Sequence, residues 1–225
     1  MSTLDHPINT VTTPSHPGTG PVLGAAAVLG LWFAVVLAAN FAGAFEPDPA
    51  NPPLALAAAL ALPVAIFAAA YRLSARVRTY VLGLDLGLLT AIQGWRVLGG
   101  MFLVLYAYGL LPGAFAWPAG VGDVAVGLAA PFVAASLAAG AAGWHRKVLW
   151  LNIAGLLDFV GAVGAGLLTS SSTLGVIDVA VRSDAMTNLP LALIPTFAVP
   201  FFIVLHVISL IQLARIKAGD RAGRL

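Results

Sequence analysis

The chain contains no cysteine. That excludes disulfides, thiolate-held zinc, iron–sulfur clusters and a cysteine nucleophile. Charge is also scarce: 9% of the 225 residues are Asp, Glu, Lys or Arg, against about 25% in a soluble domain. Lysine occurs only as Lys147 and Lys217, both at the edges of apolar runs, so a retinal Schiff base inside a span is excluded. His206 is the one histidine within an apolar run, too few for a bis-histidine haem. HExxH, GxSxG, Walker A and Rossmann fingerprints are absent. So are the repeated arginines of a voltage sensor. No basic patch interleaved with aromatics points to nucleic acid, and no residue pattern names a cofactor or a metal.

What the chain has is apolar length. Hydrophobic residues make up 60% of it, more than a soluble surface can hide, so the excess must face lipid. About 20 apolar residues cross the hydrocarbon core as a helix. Six windows qualify: Val22 to Phe45, Pro53 to Tyr71, Thr79 to Leu111, Trp117 to Ala139, Val148 to Leu168 and Leu189 to Ala214. The expected fold is therefore all-α, a polytopic transmembrane bundle of about six spans forming one domain over residues 21–216. Residues 1–20, with His6 and His16, read as a disordered cytoplasmic tail without the charged start of a signal peptide. Residues 217–225 read as a basic cytoplasmic tail.

The basic residues orient the bundle. With six spans, Arg72, Arg76, Arg78, Arg146, Lys147, Arg215, Lys217, Arg221 and Arg224 fall on one side, and only Arg182 falls on the other. The positive-inside rule then predicts both termini in the cytoplasm. Aromatics agree: Tyr71, Tyr80, Trp144 and Trp150 flank the predicted inner boundary, and Tyr106, Tyr108 and Trp117 the outer one. The expected location is a cell membrane, a bacterial inner membrane, and the expected partner is the lipid bilayer. Small-residue helix faces would also allow a homo-oligomer.

Two connections stand out. Leu110 to Gly122 reads either as a tight external turn or as a shallow re-entrant segment. Ser170 to Asn188 is too long for a simple turn, and Val176 to Val181 within it suggests a short helix or strand on the surface. In the sixth span Pro195 and Pro200 free backbone carbonyls near residues 191 and 196. Such carbonyls can coordinate ions, although a plain kink is the simpler reading.

Ionisable groups inside hydrocarbon cost at least about 2.5 kcal/mol each and need partners. In the third span Asp85, Leu89, Gln93, Arg96, Gly100 and Leu103 follow steps of three or four and form one stripe facing the bundle interior. Gly83 and Gly87 make a GxxxG step. Asp85, near the inner boundary, would pair with Arg76 or Arg78. The fourth span puts Gly120, Asp123, Gly127, Ala130 and Ala134 on one face, and the fifth puts Asp158, Gly161, Ala162 and Ala165 on another. Asn152 lies closer to the cytoplasm, where a loop or water would satisfy it. The sixth span aligns Phe202, His206 and Ser209.

Helix rise, about 1.5 Å per residue, sets Arg96 and Asp158 near the midplane, Asp123 somewhat outward and His206 somewhat inward. The expectation is a central cluster of Arg96, Asp123, Asp158 and His206, with Gln93 as a hydrogen-bonding neighbour. Two aspartates at one depth would also suit an intramembrane protease, but Arg96 between them would hold both ionised. Two functions remain: a small transporter or channel-like protein whose cluster binds an ion, a proton or a small polar solute, and a non-catalytic membrane subunit or sensor whose cluster is structural. An enzyme using His206 as acid–base stands third.

Overall fold

A computed structural model describes residues 19–222. The N-terminal tail with His6 and His16 lies outside these residues, except for 19 and 20, which already belong to a helix. Of the expected C-terminal tail, 223–225 lie outside, and the backbone of 217–222 continues the last helix.

The described residues form helices and no strand. The six apolar spans are Val22–Phe41, Leu54–Leu73, Leu86–Ala107, Gly113–Ala138, Trp144–Leu168 and Ile194–Ile216. Each is long and apolar enough to cross a bilayer, so the protein is a multi-pass membrane protein. Helix α1 is Thr19–Phe41 and α2 is Leu54–Leu73. Between them Asp48 organises the turn: its carboxylate accepts from the Ala50 amide at 2.8 Å and from the Asn51 side chain at 2.7 Å. Those bonds, the one from Asn51 above all, hold the Asp48 carboxyl below the usual carboxylate range.

The third span starts later than its hydropathy predicts. A separate helix α3, Ala75–Leu82, is capped by Ser74 and stops at Gly83. The span itself begins with α4, Leu86–Ala91, and Asp85 is its N-cap, accepting from the Leu88 amide at 2.8 Å. Asp85 thus has a backbone role, and no described ion pair joins it to Arg76 or Arg78. Arg78 instead donates to the carbonyls of Tyr71 and Arg72. The break also dissolves the expected GxxxG step, because Gly83 ends one helix and Gly87 lies in the next.

Beyond α4 the chain tightens into a 3-10 helix, Ile92–Gly100, and relaxes into α5, Met101–Ala107. Nine residues of 3-10 helix is long for a form that rarely exceeds three or four. Its period of three aligns Gln93, Arg96, Gly99 and Phe102 inward. A second ridge of Trp95, Leu98 and Met101 stays exposed.

The connection after α5 is a tight turn, and α6, Gly113–Ala138, starts directly after Pro112. Trp117 and Pro118 therefore belong to the continuous fourth span, and no re-entrant segment forms. Helix α7 is Trp144–Leu168. In the long connection, Val176 to Val181 forms neither helix nor strand; the regular piece is a 3-10 helix at Ser183–Thr187. The sixth span opens with one π-helical turn, Ile194–Ala198, and continues as α8, Val199–Ala222. Of the carbonyls freed by the prolines, Leu191 accepts from the Ile194 amide at 2.9 Å.

The buried core lies between spans 3 to 6. Phe102, Leu111, Phe115, Ala116 and Ala119 pack together at one end, and Leu86, Val148 and Leu213 at the other. Gln212 ties α8 to the α3–α4 break, donating to Val81 at 2.7 Å and Leu84 at 2.9 Å.

Candidate functional site

Arg96 leaves the middle of the 3-10 segment toward the bundle axis and is buried. Its Nε donates to Asp123 Oδ1 of α6 at 2.7 Å. Its Nη2 donates to Asp158 Oδ2 of α7. Its Nη1 donates to the Gly155 carbonyl at 3.1 Å and lies 3.3 Å from His206 Nε2 of α8. The guanidinium carbon sits 3.9 Å from the centroid of the Phe159 ring, a cation–π contact. The four expected residues thus come together on one arginine that links four spans.

The network assigns the histidine tautomer. Asn152 Nδ2 donates to the Val148 carbonyl at 2.8 Å, which leaves Asn152 Oδ1 as an acceptor. His206 Nδ1, 2.8 Å away, must then carry the proton, and Nε2 is left to accept from Arg96. Asn152 was expected to meet a loop or water; it is buried and orients the histidine instead. The misplacement came from depth, because one helical turn separates Asn152 from Gly155 and so brings it within reach of the cluster.

Glycines make room for this convergence. A Cβ on Gly155 would meet His206 Nε2 at 2.5 Å and Arg96 Nη1 at 2.7 Å. One on Gly99 would meet the Asp123 carboxylate, and one on Gly122 the Asp158 carboxylate. Gly127 lets α6 approach the backbone of the 3-10 segment, where a Cβ would run into the Val97 amide nitrogen. The small residues of α6 therefore serve contacts within the chain. Gly161, expected beside Asp158 on a packed face, points into open space.

Gln93 departs from expectation. It is buried to 1% exposure one 3-10 turn below Arg96, yet neither its Oε1 nor its Nε2 has a hydrogen-bond partner among the described residues. Ser209, three residues beyond His206, is equally buried, and its hydroxyl is equally unpartnered. Contacts of Arg96 with His206 and of Leu84 with Gln212 fix the register of spans 3 and 6, and Gln93 and Ser209 lie between those two points.

The two acids are not equivalent. Asp158 is 11% exposed, tucked against Gly122. Asp123 is 15% exposed and borders a cavity of about 540 Å³. Arg96 and Asp123 are the charged groups on its inner wall. Phe102, Phe159, Phe197 and Leu60 supply apolar walls, and Ser170, Ser172, Ser183 and Asp184 stand at the end nearest the 169–187 connection. That end is fixed by Asp184, which accepts from the Ser171 amide at 2.8 Å and from the Ser171 hydroxyl. Arg182 adds bonds to the carbonyls of Ser170, Gly175 and Ile177. Among the described residues, no group of three or more His, Asp or Glu side chains has the spacing of a metal site.

No curated protein and no solved structure matches the chain. Over residues 53–214, a stretch that holds every residue of the cluster, the sequence matches the family described as a domain of unknown function, DUF8737, and the chain belongs to this family.

Proposed function

We propose that the protein is a small transporter or channel-like protein in which Arg96, Asp123, Asp158 and His206 bind an ion, a proton or a small polar solute within the membrane. The observation that carries this reading is the pair of carboxylates sharing one guanidinium, one of them facing a cavity. With His206 neutral the cluster carries one negative charge in excess. In hydrocarbon that excess favours binding of a cation or a proton. The unpartnered amide and hydroxyl of Gln93 and Ser209 extend polar groups from the cluster toward the basic end of the bundle. A bacterial inner membrane fits the loop charges.

The second reading, a membrane subunit or sensor with a purely structural cluster, draws on the number of bonds that Arg96 makes to three neighbouring spans. The double variant Arg96→Gln with Asp158→Asn separates the two. It removes one charge of each sign and leaves the net charge of the site unchanged, and matched neutral replacement of a buried pair is often tolerated. In proteoliposomes on a solid-supported membrane, jumps in proton, Na⁺ or K⁺ concentration should give a transient current for at least one ion. The double variant should fold and lose that current at least tenfold. Currents no larger than those of empty liposomes, or an undiminished current in the double variant, would overturn the proposal.

A further inference from the structure

The donors and acceptors around Arg96 indicate what kind of molecule the cavity can hold. A guanidinium has five N–H groups. Four are engaged, with Asp123, Asp158, the Gly155 carbonyl and His206. The positive side of the cluster is thus nearly spent, and an anion entering the cavity would find one free N–H at most. The negative side is not spent. Asp123 Oδ2 accepts no hydrogen bond among the described residues, and Asp123 borders the cavity.

The walls add a second constraint. Eight of the lining side chains are aromatic, Trp95, Phe102, Phe197 and Phe201 among them. Aromatic faces attract cations, more strongly where water is excluded. Arg96 already occupies one ring, Phe159. The remaining rings line the same cavity that Asp123 borders. A volume of about 540 Å³ lies within the range of small-molecule sites, about 300–1,000 Å³. It far exceeds the space needed by a bare metal ion or a proton.

We propose that this cavity binds a lipophilic organic monocation, with the positive centre against Asp123 and the apolar substituents among the aromatic walls. The proposal rests on the reading of the cluster as a binding site and narrows its ligand to one class. Asp123 is the ligand-facing acid. Asp158, bonded to Arg96 and packed on Gly122, holds the guanidinium in place.

The test uses the full-length protein in detergent and two probes of the same shape and opposite charge. Radiolabelled tetraphenylphosphonium should bind saturably in equilibrium dialysis, and tetraphenylborate should neither bind saturably nor compete. Asp123→Asn keeps the side-chain shape and an acceptor for Arg96, and it should weaken tetraphenylphosphonium binding at least tenfold. Leu60→Trp fills the cavity from α2 without touching a charge and should produce a similar loss. It decides the matter if Asp123→Asn fails to elute as a monodisperse species. Competition by tetraphenylborate, binding unchanged in both variants, or no saturable binding would overturn the cation assignment. If binding fails while the ion-jump currents stand, the ligand class alone is wrong. If binding stands and a jump in tetraphenylphosphonium concentration gives no more current than with empty liposomes, the transport reading alone is wrong.

Discussion

At the scale of single residues, most polar groups in the middle of the bundle are matched, and Gln93 and Ser209 are exceptions among the described residues. A buried polar group left without a partner costs about 1–3 kcal/mol. Gln93 has both ends of its amide in that state, within a stripe that otherwise serves Arg96. Gln93→Leu should therefore raise stability by about 1–3 kcal/mol, read as a higher midpoint in SDS-driven unfolding. A lower midpoint would show that the amide gains from partners of its own. The four charged or histidine members of the cluster were legible in the sequence because any such group inside an apolar run demands a partner. The glycines at 122 and 155 were less so. What each accommodates belongs to a different span, and a single chain read in order does not show which spans touch. Asn152 bonds to His206, 54 positions away, because it lies one helical turn from Gly155 and so at the depth of the cluster.

At the scale of elements, the third span is shaped by local backbone chemistry that hydropathy does not register. The apolar run continues across Gly83 to Asp85, so its average places no boundary there. The hydrogen bond from the Leu88 amide to the Asp85 side chain does. Loss of such a cap typically costs about 1 kcal/mol. Asp85→Ala should lower the unfolding free energy by about that amount, while Asp85→Asn, also a strong N-cap, should stay close to the parent protein in the same SDS titration. Equal losses in both would mean that the carboxylate acts through its charge. Of the expected inward stripe, the Gln93 and Arg96 pair survived the unforeseen 3-10 segment because the step between them is three, one full turn of that tighter helix; beyond them Phe102 is the buried residue where Leu103 was expected, and Asp85 is exposed as a helix cap. The π-helical turn at Ile194–Ala198 is likewise a consequence of Pro195 and Pro200, whose positions in the sequence predicted a distortion but not its type.

At the scale of the whole molecule, packing is uneven. Spans 3 to 6 enclose the cluster, whereas α1 leans on the bundle through Trp32 and Phe33 against Phe197 and exposes most of its length. Six spans were legible because length and hydropathy alone define them, and the charge asymmetry predicted their orientation. Orientation also decides which side reaches the cavity. The connection 169–187 ends the cavity on one side, and the basic loops lie on the other. If both termini are cytoplasmic, the cavity end is extracytoplasmic. The absence of cysteine makes this directly measurable, because a single introduced thiol has no background. Val176→Cys, at an exposed position in the 169–187 connection, should react with a membrane-impermeant maleimide in intact cells. Ala142→Cys, exposed between α6 and α7, should react only after the membrane is permeabilised. The reverse pattern would invert the topology and turn the cavity toward the cytoplasm. Labelling of both sites in intact cells would put the two connections on one side, which an odd number of crossings between them cannot do, and would remove the six-span arrangement itself.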